Sequence, residues 1–331
     1  MKITIIFDSP GSGDISPDHA DVLSQVQSVK NTLTAMGHGC TELGFDLNIE
    51  KFRYEINETA PDLVFNLVES VGGRGSLIHL APSVLDVLEI PYTGSKTDAI
   101  YRTSNKLFAK EWLRANGIPT PPYFSPDVFQ QDNPEMKGDY IIKSVWEHAS
   151  IGLDDQSVIT PGSVSELLKE TARRKGSLGG QCLTERYIDG REFNIAMLAE
   201  DEGPEVLPPA EIRFDSYEGG KRKIVGYDAK WDRDSFEYHN TVRTFDFPDD
   251  DLHLLLQLKE LSIKCWKIFN IRGYCRVDFK VDDQNQPWVL EINANPCISP
   301  DAGFMAAAAQ AGLRAEDVMK RIINDTKLFK I

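Results

Sequence analysis

Two short runs near the C-terminus, Arg276-Val277-Asp278-Phe279 and Leu290-Glu291-Ile292-Asn293, alternate polar and apolar residues with a period of two. That alternation marks a strand with one buried and one open face. The residues between them, Asp282-Asp283-Gln284-Asn285-Gln286, are all polar, so strands at 273–281 and 287–293 are expected to fold back as a hairpin. Centred between Gln284 and Asn285, the hairpin sets Asp278 opposite Glu291 and Arg276 opposite Asn293. Directly opposed side chains lie about 4.5–5.5 Å apart. The other face, Val277, Phe279, Leu290 and Ile292, is apolar. A fold built on this ribbon buries one side and gathers two carboxylates, an amide and a guanidinium on the other.

Opposed carboxylates repel unless something neutralises them. The alternative to a binding site is a surface hairpin with a wet polar face. Against it stand the apolar back face and the lack of a lysine between the two acids. An oxygen-only set suits Mg²⁺, which is commonly held by one or two carboxylates plus a nucleotide's phosphates. Asp278, Glu291 and Asn293 are therefore the candidate metal ligands, and Arg276 beside them is placed to stabilise a developing oxyanion.

Upstream, strand-like runs at 2–7 and 62–67 alternate with helical spacing at 19–36 (Val22, Val26, Val29, Leu33, closed by Gly37 and Gly39) and 77–88, followed by a short strand and turn at 90–94. This alternation implies a parallel α/β sheet. Beyond it come a helix at 105–116 opened by Ser104, a strand at 140–145, a polar loop at 147–155 and a helix at 163–174. Two strands at 182–189 and 192–199 flank the turn Asp189-Gly190, a polar segment covers 216–241, and helices are expected near 249–269, 303–311 and 315–325. The expected class is α/β followed by α+β. With 331 residues the chain has room for about two or three domains.

Charge narrows the function. Lys and Arg total 36 against 51 Asp and Glu, a net charge of −15, which argues against unspecific nucleic-acid or anionic-membrane binding. No apolar run approaches the roughly 18 residues of a membrane span, and the N-terminus has no cleavage-site pattern. The five cysteines, Cys40, Cys182, Cys265, Cys275 and Cys297, form no CxxC, so reduced thiols and a cytoplasmic location are expected. Gly11 and Gly13 are only a fragment of a dinucleotide fingerprint, with Asp14 next and no third glycine, so no nicotinamide site is expected.

Arg-Val-Asp-Phe at 276–279 and Leu-Glu-Ile-Asn-Ala-Asn-Pro at 290–296 resemble the metal-binding end of the ATP-grasp carboxylate–amine ligases, in the D-alanine–D-alanine ligase branch. The resemblance keeps its order from Ile90 onward: Pro91-Tyr92-Thr93-Gly94-Ser95, Asn105-Lys106, Tyr140-Ile141-Ile142-Lys143, Glu185-Arg186-Tyr187-Ile188-Asp189-Gly190-Arg191-Glu192-Phe193 and Tyr227-Asp228-Ala229-Lys230. It implies an ATP-grasp fold with a Rossmann-like pre-ATP-grasp domain at 1–98, a central α+β subdomain at 99–184 and a C-terminal α+β subdomain at 185–331 that carries metal and catalytic residues.

The resemblance also implies roles. ATP and Mg²⁺, with Mn²⁺ as the alternative ion, are the expected cofactors. Lys106 and Lys143 would contact phosphates, and Glu185 would accept the adenine amino group. Backbone groups of Arg186 and Ile188 would complete the adenine edge, Tyr187 would pack nearby, and Glu192 would bind the ribose. Ser150 belongs to the loop over the phosphates and Lys230 to a lid. Arg276 and Lys230 are the catalytic candidates; His148 lacks an orienting partner in the sequence, and acyl-phosphate chemistry needs no nucleophile from Cys297.

The substrate end departs from the family. Segment 9–16 lacks a glutamate, Val68 stands where the family has a loop histidine, and Ala149 stands where it has a loop serine. Trp231 replaces a tyrosine, Cys297 a glycine, and Ala302-Gly303 a serine–leucine pair. Glu69, Arg74, Trp231 and Asp301 are the candidate replacements. The expected activity is amide formation between a carboxylate and an amine through an acyl phosphate, on small amino-acid-like substrates other than two D-alanines. The alternatives are an acceptor that is a peptide or protein tail, a D-alanine–D-alanine ligase proper, and a nucleotide-binding regulator without turnover. Neither nucleic acid nor membrane is an expected partner, and a homodimer is the assembly the family suggests.

Overall fold

The computed structural model describes residues 1–9, 17–125, 138–147, 150 and 152–326. Gly11, Gly13, Asp14, His148 and Ala149 lie outside them.

The N-terminal part runs β1 (Lys2–Asp8), α1 (Pro17–Ala35), β2 (Gly39–Phe45), α2 (Ile49–Thr59) and β3 (Leu63–Asn66). The strand order is β2-β1-β3, both neighbours parallel to β1. Val22, Val26, Val29 and Leu33 pack on Ile3 and Ile5, as their spacing predicts. The other side is covered by Phe52 and Ile56 of α2 against Ile6, Phe45 and Val64. Gly39 opens β2 rather than closing the helix. Two glycines and exposed positions hide this edge strand from a periodicity reading, and α2 buries only Phe52 and Ile56. The expected helix at 77–88 is instead a 3₁₀ turn (Gly75–Leu77) followed by α3 (Leu80–Val87). At 90–94 the only bridge is Tyr92 to Val64.

Next come α4 (Thr97–Ser104), absent from the sequence reading, and α5 (Lys106–Ala115). Asn105 stands extended between them, and its side chain caps α5 by accepting from Phe108 N at 3.0 Å. Ser104 therefore ends one helix instead of opening the next. A four-stranded antiparallel sheet follows, in the order β4-β7-β5-β6: β4 (Tyr123–Phe124), β5 (Tyr140–Ser144), β6 (Val158–Ile159) and β7 (Cys182–Arg186), with α6 (Val164–Arg174) between β6 and β7.

The last sheet has six strands, in the order β11-β10-β8-β12-β13 with β9 added to β8. Its elements are β8 (Arg191–Glu200), β9 (Gly203–Val206), β10 (Ala210–Phe214), α7 (Tyr227–Trp231), α8 (Phe236–Asn240), β11 (Thr241–Thr244), α9 (Leu252–Ile268), β12 (Tyr274–Val281) and β13 (Pro287–Asn293). Helices α10 (Gly303–Gln310) and α11 (Ala315–Asp325) follow. The turn at Asp189-Gly190 does not close a hairpin: β7 and β8 belong to different sheets. Because β7 continues to Arg186, we propose to set the boundary between the second and third expected domains within this turn instead of at 184/185.

The back of the large sheet (Phe193, Ile195, Val277, Phe279, Val289, Ile292) is buried against α9 through Leu254, Leu258, Leu261 and Cys265. Its far end joins the N-terminal core, where Tyr274, Phe304 and Ile322 pack with Ile3, Ile5 and Val22. Among the described residues no helix is long and apolar enough to cross a membrane.

Candidate active site

The open faces of the two antiparallel sheets and the loop end of the parallel sheet enclose a cleft of about 830 Å³. That is within the range of small-molecule sites. Its floor is the ribbon. Across the sheet Asn194 of β8, Asp278 of β12 and Glu291 of β13 lie in one row, and Arg276 pairs with Asn293.

The expected pairing is present, but its cause differs from the symmetrical hairpin. Val281 pairs with Pro287, so the loop is centred on Gln284, and continued evenly it would set Leu290 opposite Asp278. A bulge between Asp278 and Phe279 shifts the register by one residue and returns Glu291 to the cleft face. Leu290 is the extra residue; it lines the cleft instead of joining the apolar back face.

Arg276 donates to both oxygens of Asp278, Nε to Oδ1 at 2.7 Å and Nη2 to Oδ2 at 2.8 Å. Asn194 Nδ2 adds a bond of 2.9 Å and Asn293 Nδ2 one of 3.4 Å to the same carboxylate. Glu291 faces Lys106 Nζ at 3.7 Å, and Lys106 also donates to Glu147 O at 2.7 Å. Burial opposes the Arg276 charge, but Asp278 and Glu291 outweigh it and hold its pKa above the ordinary value. Each acid is thus compensated by a cation. Among the described residues no three or more His, Cys, Asp or Glu converge as a metal site. The ribbon's two carboxylates and one amide fit a hard ion only if other oxygens complete the shell, as nucleotide phosphates do.

Glu185 is 1% exposed, with Lys143 Nζ at 2.5 Å from Oε1 and Lys110 Nζ at 2.5 Å from Oε2. Burial raises a carboxyl pKa, but the two ammonium groups prevail and keep that of Glu185 below the usual range. Lys110 escapes a motif reading because it sits inside α5; its spacing of four from Lys106, one helical turn, is the signal available.

Glu192 meets the buried Lys280 at 3.2 Å, a second cation that sequence reasoning misses. Lys280 also donates to Lys223 O at 2.8 Å, and Tyr187 OH accepts from Lys223 N at 2.9 Å, so the strap leading to α7 is tied to the cleft wall. Ser150 Oγ holds the same strap through Val225 O at 2.7 Å. Lys230 of α7 lines the cleft; burial, followed by Arg276, lowers its pKa.

Arg186, Tyr187 and Ile188 line the cleft, and so do Glu69, Trp231 and Asp301. Arg74 does not join them: it is exposed, and its backbone pairs with Val71. Val68 is fully buried in the N-terminal core. Three further charged residues that the sequence did not single out also line the cleft: Asp8, Asp21 and Arg243. Asp21 accepts from Cys297 Sγ at 3.0 Å and from Ser299 Oγ at 2.9 Å, and Gln25 joins Glu69 to the chain at Ile298.

A family model described as D-ala D-ala ligase C-terminus matches residues 115–324. The D-alanine–D-alanine ligase of Carboxydothermus hydrogenoformans is 26% identical over 333 residues, 98% of this chain and 97% of that protein. The Sinorhizobium fredii protein y4sG is 28% identical over 262 residues, 79% of this chain and 74% of that protein. Among solved structures, the Bacillus anthracis D-alanine–D-alanine ligase complexed with ATP superposes with a TM-score of 0.74 at 19% identity, over 99% of this chain and 98% of that one, a likeness of fold.

Proposed function

The chain belongs to the D-alanine–D-alanine ligase family, and from that premise we propose that it is an ADP-forming ATP-grasp ligase joining a carboxylate to an amine through an acyl phosphate. The observation that carries this reading is the meeting of Asp278, Glu291 and Asn293 with Arg276, Lys106 and Lys143 on one cleft. Lys106 and Lys143 bind phosphate oxygens as point charges. Glu185 accepts the adenine amino group beside backbone groups of Arg186 and Ile188, Tyr187 packs near the base, and Glu192 binds the ribose. Magnesium held by Asp278, Glu291 and Asn293 supplies charge neutralisation at the phosphates when bound. The substrate carboxylate attacks the γ-phosphorus and ADP leaves, with Lys230 over the transferring group. The amine then attacks the acyl carbon, Arg276 donates to the tetrahedral oxyanion, and phosphate leaves.

We propose further that the substrates are not two D-alanines. Val68 is buried in the core and cannot touch a ligand. Cys297 is tied to Asp21, and Arg243 and Asp301 add charges of both signs in the cleft. A site that loses several hydrogen bonds to one substrate rejects it strongly. The D-alanine–D-alanine ligases among the relatives support the other reading, that D-alanine is used on both sides. Incubation with ATP, Mg²⁺ and pooled amino acids, read by ADP release and new amide masses, separates them. Amine-dependent ADP release with an amide other than D-alanyl-D-alanine is expected. D-alanyl-D-alanine as the dominant product overturns the substrate claim, and no amine-dependent turnover overturns the ligase reading.

A further inference from the structure

The carboxylate of Glu185 lies between two lysines from different elements, Lys110 of α5 and Lys143 of β5. The three side chains carry one net positive charge in a largely buried place at the cleft wall, where an excess charge calls for an anion. The two lysines are not equivalent. Lys143 lines the cleft and is 14% exposed at the side chain; Lys110 is 1% exposed and absent from the cleft lining. Lys110 Nζ is anchored a second time, donating to Thr120 Oγ1 at 2.8 Å, and Thr120 in turn donates to Val289 O at 2.8 Å. The ring of Tyr123, the strand partner of Glu185, lies 5.7 Å from the same ammonium. Lys143 has a cleft to turn into, whereas Lys110 is held by Glu185 and Thr120 under the Tyr123 ring.

We infer that Lys110 is a positioning residue that holds Glu185 as a fixed, ionised acceptor, so that Lys143 is released to the triphosphate and the pocket selects adenine over guanine. The inference rests on the reading that Glu185 faces the purine. An ionised carboxylate accepts from the 6-amino group of adenine and repels the 6-oxygen of guanine, which is itself an acceptor. A carboxyl free to take up a proton or turn aside loses that preference. Lys110 thus makes selectivity depend on a residue that never touches the nucleotide.

The test is binding of the magnesium complexes of the non-hydrolysable β,γ-imido analogues of ATP and GTP, measured by calorimetry on the full chain. The Kd ratio within one preparation is independent of the folded fraction. Lys110→Met is expected to lower the guanine-to-adenine Kd ratio at least about tenfold, the worth of a hydrogen bond to a charged group. Thr120→Val, which removes only the second anchor, lowers it in the same direction, and Lys110→Arg keeps it near wild type. Glu185→Gln is the control for the underlying reading and is expected to abolish the preference. If Glu185→Gln abolishes it while Lys110→Met leaves the wild-type ratio, the role of Lys110 is overturned and that of Glu185 survives. If Glu185→Gln leaves the ratio unchanged, the adenine reading falls and this inference with it.

Discussion

Asp278 and Glu291 face each other across neighbouring strands because Leu290 is one residue too many between Val289 and Glu291. Without that bulge the pairing from the turn upward would set Glu291 opposite Val277 on the back face. One irregular residue therefore decides whether the ribbon presents one acid or two to the cleft.

Glu291→Gln keeps the shape of the side chain and removes its charge. Magnesium-dependent ADP release is expected to fall on the order of 100-fold or more, with the folded state retained. A titration of turnover against magnesium concentration checks this, and an unimpaired variant defeats the metal assignment.

The role proposed for Lys230 needs its charged form, and burial together with Arg276 lowers its pKa. The cation is present below that pKa and lost above it, so affinity for the β,γ-imido ATP analogue declines as pH rises, before the roughly 10.4 of an ordinary lysine. Lys230→Arg carries the alkaline limb to higher pH, since the guanidinium does not titrate there. Coincident limbs for wild type and Lys230→Arg would remove Lys230 from the phosphate site.

Burial, with Glu69 and Asp21 nearby, pushes the Cys297 thiol well up, and its Sγ already donates to Asp21. It is a poor nucleophile at neutral pH. Cys297→Ser is expected to keep ATP turnover within about threefold, and native Cys297 to alkylate slowly at pH 8 by mass spectrometry. A 100-fold loss on this change would point to chemistry at the sulfur.

Phe304 is fully buried, edge-on to Tyr274 at 5.6 Å, where α10 joins the parallel sheet to the large antiparallel one. Phe304→Ala opens a cavity at that junction and is expected to destabilise the chain by about 3–5 kcal/mol. Urea unfolding measures it; a loss below about 1 kcal/mol would mean the junction repacks.

Much of the site is legible because it is local. Asp278, Glu291, Arg276 and Asn293 lie on one ribbon closed by a short polar loop, and strand alternation is a rule of the backbone itself. Lys106 and Lys143 are legible as parts of ordered motifs. Arg74 shows the limit: a charge in the right loop turns outward, because a loop's side-chain directions follow no period. Edge strand β2 and helix α2 escape for a related reason. Few of their residues are buried, so they acquire their structure from the neighbours they pair with or cover.

The sequence by itself determined the parallel start, the alternating ribbon and the charges it carries, since each follows from periodicity within a few residues. Only the tertiary structure decided that Leu290 bulges, that Lys110 reaches Glu185 and Lys280 reaches Glu192, and that Asp21 and Arg243 come to the same cleft. These are meetings between elements far apart in the chain, and packing of the buried faces, which no local period encodes, sets which side chains they bring together.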